Sequence, residues 1–213
     1  MNPELVFIYG FYAAIVIMSI ILHEIAHGWV AYQCGDDTAY LMGRLSLNPL
    51  RHVDPFLTIL LPALCIWMGM PAFGGAKPVP VNPYRFKHPV RDDRLVSVAG
   101  VAVNLLIAFV LAQALRVLLA TGTFAPDAPG AVALELGIVS NLVLFVFNLT
   151  PIPPLDGSRL LRSFFPLEIQ RVFHMLDPWG LFIVFVVAQS NTFWRGMRIV
   201  IGFLADYVVL MPS

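Results

Sequence analysis

Charge is what this 213-residue chain lacks: only 12% of its residues are Asp, Glu, Lys or Arg, thirteen of each sign, and the formal net charge is zero. That balance excludes the electrostatic footprint of a nucleic-acid binder and offers nothing to an acidic polymer. Cysteine is scarce as well. Cys34 and Cys65 build neither a disulfide framework nor a Cys-x-x-Cys metal knuckle, so they read as small apolar residues. The N-terminus has no basic region followed by a small-residue cleavage site, and its first apolar segment is expected to be retained. Internal repeats and low-complexity tracts are absent. What the chain has in excess is apolar residues, 59% of the total with a mean hydropathy of +0.80, far outside the soluble range. It is expected to be an integral membrane protein.

Leu5 to Leu22 carries no charge and would make about 27 Å of helix at 1.5 Å per residue, close to a hydrocarbon thickness. Leu95 to Leu115 is a second uncharged span, with Arg116 placed to snorkel at its end. Leu136 to Leu155 is a third, interrupted by Pro151, Pro153 and Pro154 just before Asp156. Phe56 to Phe73 is apolar but broken by Pro62 and Pro71, and Trp179 to Trp194 with Ile199 to Leu210 suggest a final helical pair. Tyr40 to Leu47 alternates in the manner of a short strand, and Lys77 to Pro83 is proline-punctuated and extended. The expected fold is an all-α polytopic membrane protein with about five to six membrane-embedded helical segments and a short β element near the active site. It forms one domain over 1–213, with a core at about 5–165 and the helical pair at about 178–212.

At the far end of the first span stands His23-Glu24-Ile25-Ala26-His27. Residues four apart share a helix face, so both histidines can offer a ring nitrogen to one metal ion while Glu24 lies beside them. Two imidazole ligands and a carboxylate able to take a proton from a water are the pattern of zinc-assisted hydrolysis. The competing reading, histidines facing a polar cavity, is weakened because an ionisable triplet in a membrane span is costly and marks a functional site by default. Catalytic zinc uses three protein ligands and leaves a position open. Asp156 is the best third candidate, at the proline-broken end of an uncharged span. Glu135 is the alternative, at the opposite end of that span. His52 is read as an interfacial loop residue, and His88 and His174 as surface residues. Gly100 and Asn104, four apart, are assigned to close helix packing, with Asn104 near the site.

Lysine and arginine concentrate in cytoplasmic loops. Lys77, Arg85, Lys87, Arg91 and Arg94 precede the second span and Arg159, Arg162 and Arg171 follow the third, whereas 121–130 carries no basic residue. The second span is therefore expected to run outward and the third inward, and the first must also run inward if Asp156 is to meet the histidines, which puts the site toward the cytoplasmic side of a plasma membrane. Phe56 to Phe73 then reads as a re-entrant segment.

Taken together, His23-Glu24-x-x-His27, Gly100-x-x-x-Asn104 and Asn148-x-x-Pro151-x-x-x-Leu155-Asp156-Gly157 resemble the site-2 protease family of intramembrane zinc metalloproteases. The blocks Gly43 to Pro55 and Ala76 to Pro83 are similar to a compact prokaryotic branch. The resemblance implies peptide-bond hydrolysis within or beside the bilayer, on membrane-spanning substrates already trimmed by another protease. It implies one zinc ion held by His23, His27 and Asp156, with Glu24 as general base and then acid. Asn148 would hold the substrate backbone or the oxyanion. No segment outside the membrane exceeds about thirty residues, so the PDZ or CBS domain of many relatives is expected to be absent. The partners implied are a transmembrane substrate and the bilayer. The alternative class is a membrane metal transporter or a non-proteolytic metal-binding membrane protein. Transport requires polar groups on several spans with a path to both faces, and this chain gathers them at one side.

Overall fold

The first helix, α1 (Pro3–Gln33), starts where the Asn2 side chain accepts a hydrogen bond from Glu4 N and proline occupies the first helical position. It continues for 31 residues, and Leu5, Val6, Phe7, Tyr9 and Ile17 stand exposed along its first half. An apolar surface of that length needs lipid to cover it. The architecture comes from a computed structural model that describes residues 2–70 and 74–208.

After α1 come a single turn, α2 (Thr38–Leu41), and a π turn over Pro55–Leu60 that runs into α3 (Leu61–Trp67). Two long helices follow, α4 (Pro89–Ala120) and α5 (Pro129–Asn148). The chain closes with α6 (Asp156–Arg162), α7 (Leu167–Leu176), α8 (Gly180–Ala188) and α9 (Asn191–Val208). Among the described residues, four stretches are long and apolar enough to cross a membrane: Pro3–Gln33, Pro89–Ala120, Pro129–Asn148 and Glu168–Ala188. This is a helical membrane protein.

The helices α1, α4 and α5 pack against one another and form the frame of the site. Ala108, Ala112, Ala131 and Gly137 keep their backbones close, the small-residue solution to helix association in lipid. Leu115, Leu134, Ile138 and Leu142 fill the space between α4 and α5, and α9 adds Ile201, Leu204 and Ala205 to the same cluster. Contacts along the bundle pair Ser19 with Asn141 and Tyr12 with Ser140, whereas His27 and then His23 meet Val96 and then Asn104. So α1 and α5 run in one direction and α4 in the other, in line with the expected directions.

Two expectations are not confirmed. The first is the number of embedded segments: five to six were expected, and among the described residues four stretches are long and apolar enough to span. The Phe56 to Phe73 stretch contains only the short apolar helix Pro55–Trp67, about 20 Å long at helical rise, and Pro71, Ala72 and Phe73 lie outside the described residues. The final pair breaks at Gln189 and Ser190, so that α9 carries Arg195, Arg198 and Asp206 and is too charged to rank with the spans. The second concerns the β element. Tyr40 to Leu47 forms no strand, and no strand occurs among the described residues. Local turns override the alternation: Asp36 Oδ1 accepts from Thr38 N at 3.1 Å in an Asx turn that leads into a helical turn, and Gly43, at φ +63°, closes it. With no neighbouring strand to pair, a period-two pattern has nothing to stabilise it.

Candidate metal centre

His23 and His27 lie one turn apart on α1, both buried, and point their Nε2 atoms at each other across 3.0 Å. Asp156 Oδ2 completes a triangle, 3.3 Å from His23 Nε2 and 3.2 Å from His27 Nε2. These are the only three His, Cys, Asp or Glu side chains among the described residues whose donor atoms converge tightly enough to share a metal. Asp156 arrives there because α5 ends at Asn148, and the proline run 151–154, with a cis Pro153–Pro154 bond, turns the chain into α6. Gly157 lets α6 start against the end of α5, since a Cβ there would land on the Leu149 carbonyl. Arg159 then bonds Asp93 at 2.7 Å and fastens α6 to α4.

The protonation pattern of the triangle follows from its surroundings. His27 Nδ1 is 2.7 Å from the Val96 carbonyl, which can only accept, so Nδ1 carries the proton and Nε2 presents a lone pair. His23 Nδ1 is 2.7 Å from Asn104 Oδ1 and donates in the same way. Three lone pairs therefore converge on one point, and Asp156 Oδ2 is a buried acceptor with no donor of its own. Such a point is stable only around a proton or a cation. A tetrahedral ion with bonds of about 2.0 Å holds its ligands about 3.3 Å apart, so the observed spacings fit zinc. Burial by itself would raise the Asp156 carboxyl, but a second proton on either ring, carried on Nε2, lets His23 or His27 donate to Asp156 and outweighs burial, holding the carboxyl below the usual carboxylate range. A metal at the same point takes the place of that proton and needs the carboxylate form.

The floor beneath the rings is Gly100 on α4. A Cβ at that position would stand 2.6 Å from His27 Cε1 and 2.7 Å from His23 Cε1, so only glycine leaves room for both imidazoles. Val96, Gly100 and Asn104 succeed one another every fourth residue on one face of α4 and touch the two rings in turn. Packing was the role expected of Gly100 and Asn104. The structure adds that what they pack and bond is the histidine pair itself.

Glu24 lies beside the triangle, and its Oε2 accepts from Val79 N at 2.7 Å. The segment carrying Val79 is held along its length: Lys77 N donates to His52 O, Arg44 donates to Lys77 O, and Asn82 N donates to Asp36 Oδ2. A polar cavity of about 160 Å³ opens here, bounded by His23, Glu24, His27, Asn148 and Asp156. A second of about 260 Å³, lined by Leu57, Leu144, Phe147, Leu181 and Val184, adjoins it through His23, Glu24 and Asn148. Asn148 therefore faces both, while its Nδ2 bonds back to Leu144 O.

Other candidates fall elsewhere. Glu135 is exposed on α5, thirteen residues or about 20 Å of helix before Asn148, and takes no part. His52, expected in an interfacial loop, is buried with Nε2 donating to Ser46 O, and it does not reach the triangle. His88 and His174 are exposed. Sequence reasoning missed the Val96 carbonyl, the Val79 amide, Asn141 and Ser19. A polar residue inside an apolar run is the signal that would have found the last two.

Fold and site thus define a helical membrane protein in which two histidines and an aspartate could hold a metal ion beside a glutamate. Its curated relatives agree. Over 175 residues the chain is 42% identical to a Bacillus subtilis (strain 168) protein named "Putative zinc metalloprotease YwhC", a match covering 81% of this chain and 76% of that one. It is 36% identical over 174 residues to "Putative zinc metalloprotease Rip2" of Mycolicibacterium smegmatis, covering 80% and 63% of the two chains. The Mycobacterium tuberculosis (strain H37Rv) protein of the same name is 32% identical over 180 residues, covering 83% and 65%. Under two thirds of each of these two mycobacterial relatives is spanned. No family model and no solved structure matches the chain. The chain belongs to the site-2 protease family of zinc metalloproteases.

Proposed function

We propose that this protein is an intramembrane zinc metalloprotease that hydrolyses peptide bonds of membrane-spanning substrates. One zinc ion is held by His23, His27 and Asp156. The observation that carries this reading is the convergence of three lone-pair donors beside a glutamate, at the end of a membrane-spanning helix. When bound there, zinc supplies Lewis acidity toward a carbonyl and an activated water at neutral pH.

The chain's own residues do the rest. Glu24 accepts the proton of the attacking water and returns it to the leaving amine, its Oε2 anchored by Val79 N at the wall of the cavity. Asn148 offers a polar side chain to the substrate backbone or the developing oxyanion. A substrate helix hides its carbonyls in its own hydrogen bonds, so it must unwind before it can react. The extended stretch Val79 to Val81 beside Glu24 is the edge that receives it as an added strand. The basic loops at this end of the bundle support a position on the cytoplasmic side of the plasma membrane.

Transport of a metal would require a polar path to the opposite face. The apolar cluster of Ala108, Ala112, Leu115 and Ile138 fills that half of the bundle. The test is cleavage of a panel of single-span substrates in detergent or vesicles, with zinc measured on the same samples. Wild type should cleave, and Glu24→Gln should bind zinc without cleaving. Equal cleavage by Glu24→Gln would remove the assignment of the base and with it the mechanism.

A further inference from the structure

A polar chain runs from the metal site into the apolar middle of the bundle and ends on backbone. Ser19 on α1, Asn104 on α4 and Asn141 on α5 are all almost completely buried, with exposures of 1%, 0% and 0%. Asn104 Nδ2 donates to Asn141 Oδ1 at 3.2 Å. Asn141 Nδ2 donates to Ser19 Oγ and to the Gly137 carbonyl, both at 2.9 Å. Ser19 Oγ donates to the Ile15 carbonyl at 2.8 Å.

The direction of every bond in this chain is forced. The carbonyls of Ile15 and Gly137 can only accept, so the Ser19 hydroxyl points at Ile15 and its lone pair faces Asn141. The Asn141 amide must then turn its nitrogen to Ser19 and Gly137 and its oxygen to Asn104. Asn104 in turn must present its nitrogen to Asn141 and its oxygen to His23. His23 is left with the proton on Nδ1 and a lone pair on Nε2, facing the metal position. His27 reaches the same state with one bond to the Val96 carbonyl. No backbone acceptor stands beside His23 Nδ1 among its described partners, and three side chains from three helices do that work instead.

We propose that Asn141 and Ser19 are positioning residues for the metal centre, setting the tautomer and ring orientation of His23 through Asn104. The inference rests on the metal reading above and extends it to two residues that touch neither metal nor substrate. In lipid this arrangement has a further consequence. An amide that lost its partner here would have no water to replace it, so the orientation persists without outside support.

Ring ¹⁵N spectra of His23 in the metal-free protein report the tautomer directly, and chelator competition reports zinc affinity. Wild-type His23 should carry its proton on Nδ1. Asn104→Leu should lose that preference and weaken zinc about 10- to 100-fold, and Asn141→Leu should weaken it about tenfold. Asn104→Asp gives up the donor to Asn141, but either of its oxygens accepts from Nδ1 without an amide to orient it, so it should keep zinc binding near the wild-type level and make it indifferent to Asn141→Leu, a rescue that simple packing would not give. Metal-free wild type with its proton on Nε2 would overturn the inference without any variant. Folded leucine variants with zinc affinity within about twofold of wild type would also overturn it. A wild type that binds no zinc would sink the metal reading, and the tautomer would still judge the chain.

Discussion

Adding one methyl group at Gly100 is the sharpest perturbation of this site. An alanine Cβ would stand 2.6 Å from one imidazole carbon and 2.7 Å from the other, where carbon atoms are comfortable at about 3.5–4.0 Å. The rings would have to retreat by about 1 Å. They are tied to the helix that pushes them, His27 to the Val96 carbonyl and His23 to Asn104, each at 2.7 Å. Retreat therefore stretches or breaks both bonds. Overpacking costs about 1–3 kcal/mol, and the better helix propensity of alanine returns about 1 kcal/mol, so net stability should fall by only about 0–2 kcal/mol. Metal binding has far less tolerance, about 0.2 Å in each ligand distance. Gly100→Ala should thus remain folded, lose zinc affinity about tenfold or more, and cleave about a hundredfold more slowly. Gly202→Ala in α9, where a Cβ meets nothing within 4 Å, is the matched control and should leave both unchanged. Chelator competition, helix content on heating and cleavage rate measured on the two variants would decide. Gly100→Ala with zinc affinity and rate within about twofold of wild type would refute the packing argument.

Val79→Pro deletes the amide that anchors Glu24 and touches no proposed ligand, so the cleavage rate should fall about tenfold while zinc content stays constant. Its neighbours Pro78 and Pro80 already favour the extended backbone that proline requires. Zinc at about 100 times its dissociation constant should stabilise the protein by about 2.7 kcal/mol, visible as a shift in thermal unfolding that His27→Ala abolishes. Cys34 and Cys65 are buried, and burial followed by the nearby Asp92 charge pushes the Cys34 thiol up. Less thiolate is then present at neutral pH, and alkylation of the native protein should be slow for both cysteines until it unfolds.

Much of the metal triangle is legible in the amino-acid sequence. His23 and His27 follow from helical spacing, and Asp156 from being the first charge after an uncharged span that ends in prolines. The opposite courses of α4 and α5 follow from where arginine and lysine fall, and the course of α1 relative to them from the need for Asp156 to meet the histidines. Groups with no side-chain signature stay hidden, namely the Val96 carbonyl that holds His27 and the Val79 amide that holds Glu24. Asn141 lies in plain view within an apolar run, but its meaning depends on Ser19 and Asn104, 122 and 37 residues away along the chain. The Tyr40 to Leu47 alternation misleads because the Asp36 Asx turn and the Gly43 turn act over three or four residues, whereas a strand needs a partner from elsewhere. The final helices mislead for a related reason: the run from Trp179 to Trp194 is apolar enough to read as one segment, and the chain breaks it at Gln189 and Ser190.

The central claim is that two imidazoles and one carboxylate hold zinc next to Glu24. Zinc-edge X-ray absorption on the purified protein tests it most directly. The account predicts about one zinc per chain in a shell of nitrogen and oxygen at about 2.0–2.2 Å, with one imidazole lost in His27→Ala. Sulfur in the shell, or a spectrum unchanged in both His27→Ala and Asp156→Ala, would contradict it.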